Sequence, residues 1–182
     1  MTDAPRFLST AQQVTLIVLR TLIGWHFLYE GYFKLLHPAW SRAGTPLDRF
    51  SAAGYLTHVS GPFANLFHAL ARPTWIPWID AVVAGALVVA GLCLILGLFT
   101  RLGCAIAVGL LSVFYLSAIP LDGLPHLRAE GAYLLVNKNL IEAAAVVLLW
   151  AFKTERIAGL DLLVSRGGRQ GPRQGIGLDA PA

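Results

Sequence analysis

From Ala81 to Phe99 the chain reads AVVAGALVVAGLCLILGLF, a run without a charged side chain. A helix on a soluble surface keeps one polar face, and this run keeps none, so it must be enclosed by protein or by lipid. Composition decides for lipid. Of 182 residues, 56% are hydrophobic and 13% are charged, about half the charged share of an ordinary soluble domain. Such a chain is neither disordered nor a nucleic-acid-binding module, and most soluble enzyme classes are excluded. The length allows one domain. Two distant cysteines without a CxxC pair argue against a disulfide framework, a zinc site or a dithiol redox centre.

A bilayer core needs about 20 apolar residues in a helix. Four stretches meet that need, at about 14–36, 78–99, 102–119 and 133–152, the third stopped by Pro120. None alternates with the period of a membrane strand. The expected fold is therefore an all-α membrane protein, a four-transmembrane-helix bundle over residues 14–166 with a long, partly helical first outer loop. The first stretch is not a cleaved signal, because Arg20, Glu30 and Lys34 interrupt it and no small-residue cleavage site follows. Lys and Arg near the helix ends set the orientation. Arg6, Arg101, Lys153, Arg156, Arg166, Arg169 and Arg173 fall on one side. Arg42, Arg49, Arg72 and Arg128 are spread over the longer loops of the other. Both termini, including residues 1–13, are thus expected in the cytoplasm of a bacterial inner membrane. The turn between the second and third spans is expected at Thr100-Arg101. An interfacial helix is expected at about 154–165, and a disordered basic tail at 167–182. In the outer loop, PLDRFSAAGYLTHV and GPFANLFHALA each pattern as a short amphipathic helix, broken at Gly61-Pro62, forming a cap over the bundle's outer mouth.

Charges inside spans are costly, face the bundle interior and mark function. Six qualify: Arg20, Glu30, Lys34, Asp80, Lys138 and Glu142. The alternating direction of the spans places all but Arg20 at one depth, near the outer end. At about 100° per residue, Arg20, Gly24, Phe27, Glu30, Gly31 and Lys34 share a narrow arc of the first span. Glu30 and Lys34 stand at i,i+4, as do Lys138 and Glu142 in reversed order. Two readings of this cluster stand. It fixes helix register through salt bridges, or it forms a polar pocket that binds a ligand and handles protons. A quinone headgroup suits the second reading: its two carbonyls need donors and its reduction consumes two protons. Glu30 and Glu142 would then handle protons, with Lys34, Lys138, Asn139 and Asp80 around the ring. Trp25 and Tyr29 would supply an aromatic wall, with Tyr32 and Trp78. Arg20 and Arg101 are expected to be structural or to touch lipid headgroups, and Gly24 and Gly31 to let a neighbouring helix approach closely. No haem, metal or flavin is expected. Only His26 lies in a span, where it reads as a packed helix residue, and Cys93 and Cys104 read as small core residues.

The string GWHFLYEGYFKLLHP at 24–38 resembles the first helix of the DoxX family of small four-helix membrane proteins. GLCLILGLFTRLG at 91–103 is similar to that family's second hairpin, and NKNLIEAAAVVLL at 137–149 to its fourth helix. The resemblance implies a membrane subunit of a redox complex. Some relatives pass electrons from thiosulfate to quinone, and others accompany sulfurtransferase or superoxide dismutase in redox-stress complexes. The expected partners are the lipid bilayer, quinone and a redox subunit, with homo-oligomerisation open and no nucleic acid. A non-catalytic assembly subunit and a small transporter are the alternatives.

Overall fold

The computed structural model describes residues 8–36, 50–119, 132–133 and 135–162. Much of the expected cytoplasmic N-terminus, the first part of the first outer loop, most of the second and the expected disordered tail lie outside the described residues. Among the described residues six α-helices run in chain order: α1 (Thr10–Leu36), α2 (Ala52–Thr57), α3 (Ala64–Leu70), α4 (Ile76–Leu96), α5 (Thr100–Ser117) and α6 (Lys138–Ala151). A two-residue antiparallel pair, β1 (Ala132–Tyr133) and β2 (Val136–Asn137), precedes α6.

Local chemistry sets the ends of these helices. Ser9 and Gln12 begin α1 by reciprocal capping: Gln12 N–H donates to Ser9 Oγ at 3.3 Å and Ser9 N–H to Gln12 Oε1 at 2.8 Å. Pro77 lies in the first turn of α4, where a missing N–H costs nothing. Gly97 ends α4 in the left-handed region at φ 62°, and Leu98 N–H reaches back to Cys93 O at 3.2 Å. The hairpin turn is therefore Gly97-Leu98-Phe99, not the expected Thr100-Arg101, which opens α5. Asn137 caps α6, its Oδ1 accepting from Leu140 N–H at 3.0 Å. That cap, in an extended backbone, starts the helix five residues later than the expected 133.

α4 and α5 are long and apolar enough to cross a membrane. α1, at 27 residues, is long enough but carries Arg20, Glu30 and Lys34, and α6 has 14 residues. At 1.5 Å per residue α6 spans roughly 21 Å, short of a bilayer core.

One core joins the four long helices. Leu16, Ile23 and Phe27 of α1 meet Leu87, Ala90 and Leu94 of α4, Cys104, Ala107 and Leu111 of α5, and Val146 and Leu149 of α6. Neighbours pack around a ring, α1 on α4, α4 on α5 and α5 on α6, while α6 touches α1 only sparsely. The α1–α4 seam brings backbone against backbone. A Cβ on Gly91 would lie 2.5 Å from Leu28 N, and one on Gly31 2.8 Å from Val88 N. A Cβ on Gly24 would lie 3.0 Å from Ile95 N. Gly24 and Gly31 thus take their expected part, with Gly91 as the reciprocal glycine on α4.

The two ends of the bundle are closed differently. At one end, Ala52, Leu56, Val59 and Phe67 form a small second core under α2 and α3. Asp80 Oδ1 accepts Ala52 N–H at 2.7 Å and Tyr55 OH bonds Ser117 Oγ, which tie this cap to α4 and α5. At the other end, the segment after α6 folds back onto the α4–α5 turn. Its first turn is a 3₁₀ helix, Thr154–Arg156. Gly159, at φ 142°, then breaks the chain direction, so the described part of the expected interfacial helix is not one helix. Leu160 N–H and Asp161 N–H donate to Leu96 O and Gly97 O at 3.1 and 2.9 Å, satisfying carbonyls that the end of α4 leaves free. Arg20, 3% exposed, donates through Nη1 to Thr154 O and Ala158 O at 3.1 and 2.8 Å. Arg20 is therefore a structural group holding backbone carbonyls. Arg101 pairs with Glu155 at 3.0 Å. The Asp161 carboxylate accepts from Phe99 N–H at 2.8 Å and Thr100 N–H at 3.1 Å, capping α5 from a distant part of the chain. Burial pushes the Asp161 carboxyl up, but those backbone donors outweigh it and hold it below its ordinary 3.8.

Two outcomes test this packing. Gly91→Val should lower unfolding stability in detergent by about 1–3 kcal/mol through overpacking. Gly109→Ala, where nothing lies within 4 Å of an added Cβ, should be neutral or slightly stabilising; equal loss in both variants would refute the seam. Asp161 stabilises in its charged form, so its contribution is complete above pH 3.8 and is lost as pH falls through its lower folded value. The stability gap between the wild type and Asp161→Asn should be open at pH 7 and close below about pH 4 in a thermal melt series. A gap that persists unchanged in acid would show that charge plays no part.

A polar chamber between the long helices

His26, Glu30 and Lys34 stand one helical turn apart along one flank of α1, beside the glycine seam and toward α6. Across the sparse α1–α6 contact, the first turns of α6 present Lys138, Asn139 and Glu142. These six residues line a cavity of about 140 Å³, closed beneath by Phe27, Leu87, Leu111 and Phe114. All four long helices contribute. The volume is close to that of an engineered cavity that holds one benzene ring.

The pairing differs from the expected one. Glu30 and Lys34 do form an ion pair, Oε2 to Nζ, within α1. Glu142 does not take Lys138. It meets His26 Nδ1 at 2.7 Å, across the α1–α6 gap. Lys four residues before Glu is the weaker order for a helical pair, and an ammonium at a helix N-terminus opposes the backbone dipole. Glu142 therefore reaches across to the imidazole and Lys138 stays exposed at the chamber rim. The two carboxylates sit in unlike surroundings, since the Glu142 side chain is 16% exposed and Glu30 48%. His26, at 50% exposed, bridges the surface and the chamber. It is not the packed residue expected of a lone helical histidine. Its spacing of four and eight residues from Glu30 and Lys34 is the signal that could have identified it.

Other expected residues fall elsewhere. Trp25 and Tyr29 lie together, ring centroids 6.3 Å apart, on the outer surface of α1 and do not line the chamber. At 60% and 44% exposed they face the surroundings of the bundle, as does Trp78 at 70%. Tyr32 packs edge-on against Phe33. Asp80 lines a second cavity of about 360 Å³ with Lys34, Leu35, Phe50, Pro77, Ala81 and Ala84. Lys34 is common to both, its Nζ 5.2 Å from the Phe50 ring. Arg20 and Arg101 are at the opposite end. Cys104 is fully buried and Cys93 partly so; both are free thiols.

A double-mutant cycle separates the two pairings of Glu142. His26→Ala with Glu142→Ala should show a coupling of about 0.5–1 kcal/mol in detergent unfolding, and Lys138→Ala with Glu142→Ala a coupling near zero. The reverse ranking would place the pair within α6.

A family model described as DoxX matches residues 15–119. The match takes in most of α1, the cap helices, α4 and α5, and with them Glu30, Lys34 and Asp80; α6 lies beyond it. No curated protein and no solved structure matches the chain.

Proposed function

The chain belongs to the DoxX family of membrane proteins, and from that premise we propose that it is a quinone-interacting subunit of a membrane redox complex. The observation that carries this reading is the chamber itself: a ring-sized cavity where two carboxylates, two ammonium groups, an imidazole and an amide stand over an apolar floor. A quinone needs a slot for one ring, donors for two carbonyls and a supply of two protons as two electrons arrive. Lys34 and Lys138 are the donors, and Asn139 offers an amide beside them. Glu30 and Glu142 are carboxylates in their resting pairs, and each takes up a proton and passes it to the quinone as electrons arrive. His26 connects Glu142 to the surface, so a proton given up by Glu142 is replaced through the imidazole. The electrons come from a partner subunit that oxidises its own substrate, such as a reduced sulfur compound. In this reading all four long helices sit in a bacterial inner membrane with both termini in the cytoplasm. The chamber then lies near the outer face under the cap.

The rival reading, an assembly subunit in which the pairs only fix helix register, draws on one observation: both carboxylates already have partners in the resting structure. One experiment separates the two. Protein purified in mild detergent should carry quinone, extractable in organic solvent and seen in its absorbance spectrum. Glu30→Gln and Glu142→Gln should slow partner-driven quinone reduction by about 10²-fold or more, the usual contribution of a positioned proton donor. Protein without quinone, whose variants reduce it at the normal rate, would sink the redox reading and leave assembly in its place.

A further inference from the structure

The second cavity has a chemistry of its own. It is about 360 Å³, within the range of small-ligand sites. It lies where the C-terminal end of α1 meets the first turns of α4, beside the cap. Its floor and walls are apolar: Leu35, Phe50, Pro77, Ala81 and Ala84. Two opposite charges face it, the Lys34 ammonium and the Asp80 carboxylate. Neither has spent its bonding capacity among the described residues. Lys34 has three N–H donors, and its ion pair with Glu30 uses one. Asp80 accepts one backbone N–H, from Ala52, out of roughly four acceptor positions. Trp75 and Trp78, 54% and 70% exposed, stand at the start of α4, next in the chain to the Pro77 of this cavity, and exposed tryptophans are enriched where a membrane meets water.

An ammonium and a carboxylate at the rim of an apolar cleft complement a molecule that carries a phosphate, a primary amine and hydrocarbon. The geometry points to a bound phospholipid of the ethanolamine class. Its phosphate is held by Lys34, its amine by Asp80, and the start of its acyl chains by Leu35, Ala81 and Ala84. The carboxylate makes the site selective. An ethanolamine amine has three N–H donors for Asp80, a choline headgroup has none and a glycerol headgroup has no positive charge. The site does not rest on the quinone reading, because Asp80 and Ala81 line only this cavity. Sharing Lys34 makes the two cavities neighbours and not one site.

The test uses the full chain in mixed micelles of detergent with dioleoyl phosphatidylethanolamine, -choline or -glycerol, followed by native mass spectrometry. The wild type should retain the ethanolamine lipid about tenfold more often than either of the others. Asp80→Asn keeps an oxygen for Ala52 N–H, so the cap stays latched, but it should abolish the preference. Ala81→Trp, which fills the cleft while keeping both charged residues, should lower retention of the ethanolamine lipid to the level of the others. Equal retention of the three lipids by the wild type would overturn the proposal, as would a preference that survives both substitutions.

Discussion

The α1–α4 contact decides where everything else in this protein can go. Three glycines, Gly24, Gly31 and Gly91, remove the side chains that would hold the two backbones apart. Their spacing keeps the contact along most of both helices. Once α1 is pressed against α4 on this face, the flank of α1 next to the seam is fixed as well. That flank carries His26, Glu30 and Lys34. Because α6 packs on α5 and touches α1 only sparsely, a gap remains between α1 and α6. Polar side chains meet in that gap, as they do in a bundle whose remaining seams are dry.

The two ends of the bundle treat charge in contrasting ways. At the end built by Arg20 and Asp161, side-chain charges satisfy backbone groups. The guanidinium takes carbonyls from the segment after α6, and the carboxylate takes N–H groups at the start of α5. Arg20 and Asp161 each complete a helix end or a turn there, while Arg101 pairs with Glu155. At the cap end the charges pair mostly with one another and surround empty volume. A site that must exchange protons or a ligand needs groups with bonding capacity left over beside open volume, and the two described cavities bring such groups together at the cap end.

The sequence made the charge cluster legible because intramembrane charge is rare, and it made Glu30–Lys34 legible because the pair is local. It did not show the partner of Glu142. An i,i+4 neighbour is visible in the chain, whereas a partner 116 residues away depends on how α6 is rotated. The late start of α6 is a related case: hydropathy extends the span back to 133, but the Asn137 cap ends the extended segment and begins the helix there. The interfacial helix was suggested by ERIAGLDLLV, and the break at Gly159 is forced by close contact with Gly97, which periodicity does not contain. Asp80 was grouped with the others by depth alone. Depth does not distinguish two sides of one helix pair, and Asp80 faces the α1–α4 groove outside the chamber.

Lys34 links the two cavities in a way that depth and pairing alone do not express. Its ammonium is fixed at one end of a flexible stem, with Glu30 on the chamber side and the Phe50 ring and Asp80 on the cleft side. A ligand in the cleft that takes a bond from Lys34 uses a donor that the Glu30 pair leaves spare, but it holds the same ammonium. That shared nitrogen constrains both cavities, and any effect of a ligand in one on binding in the other is returned by the same factor. Asp80 escapes this constraint because it is tied to the cap through Ala52. Occupancy of the cleft is thus felt in two directions, by Glu30 through Lys34 and by the cap through Asp80.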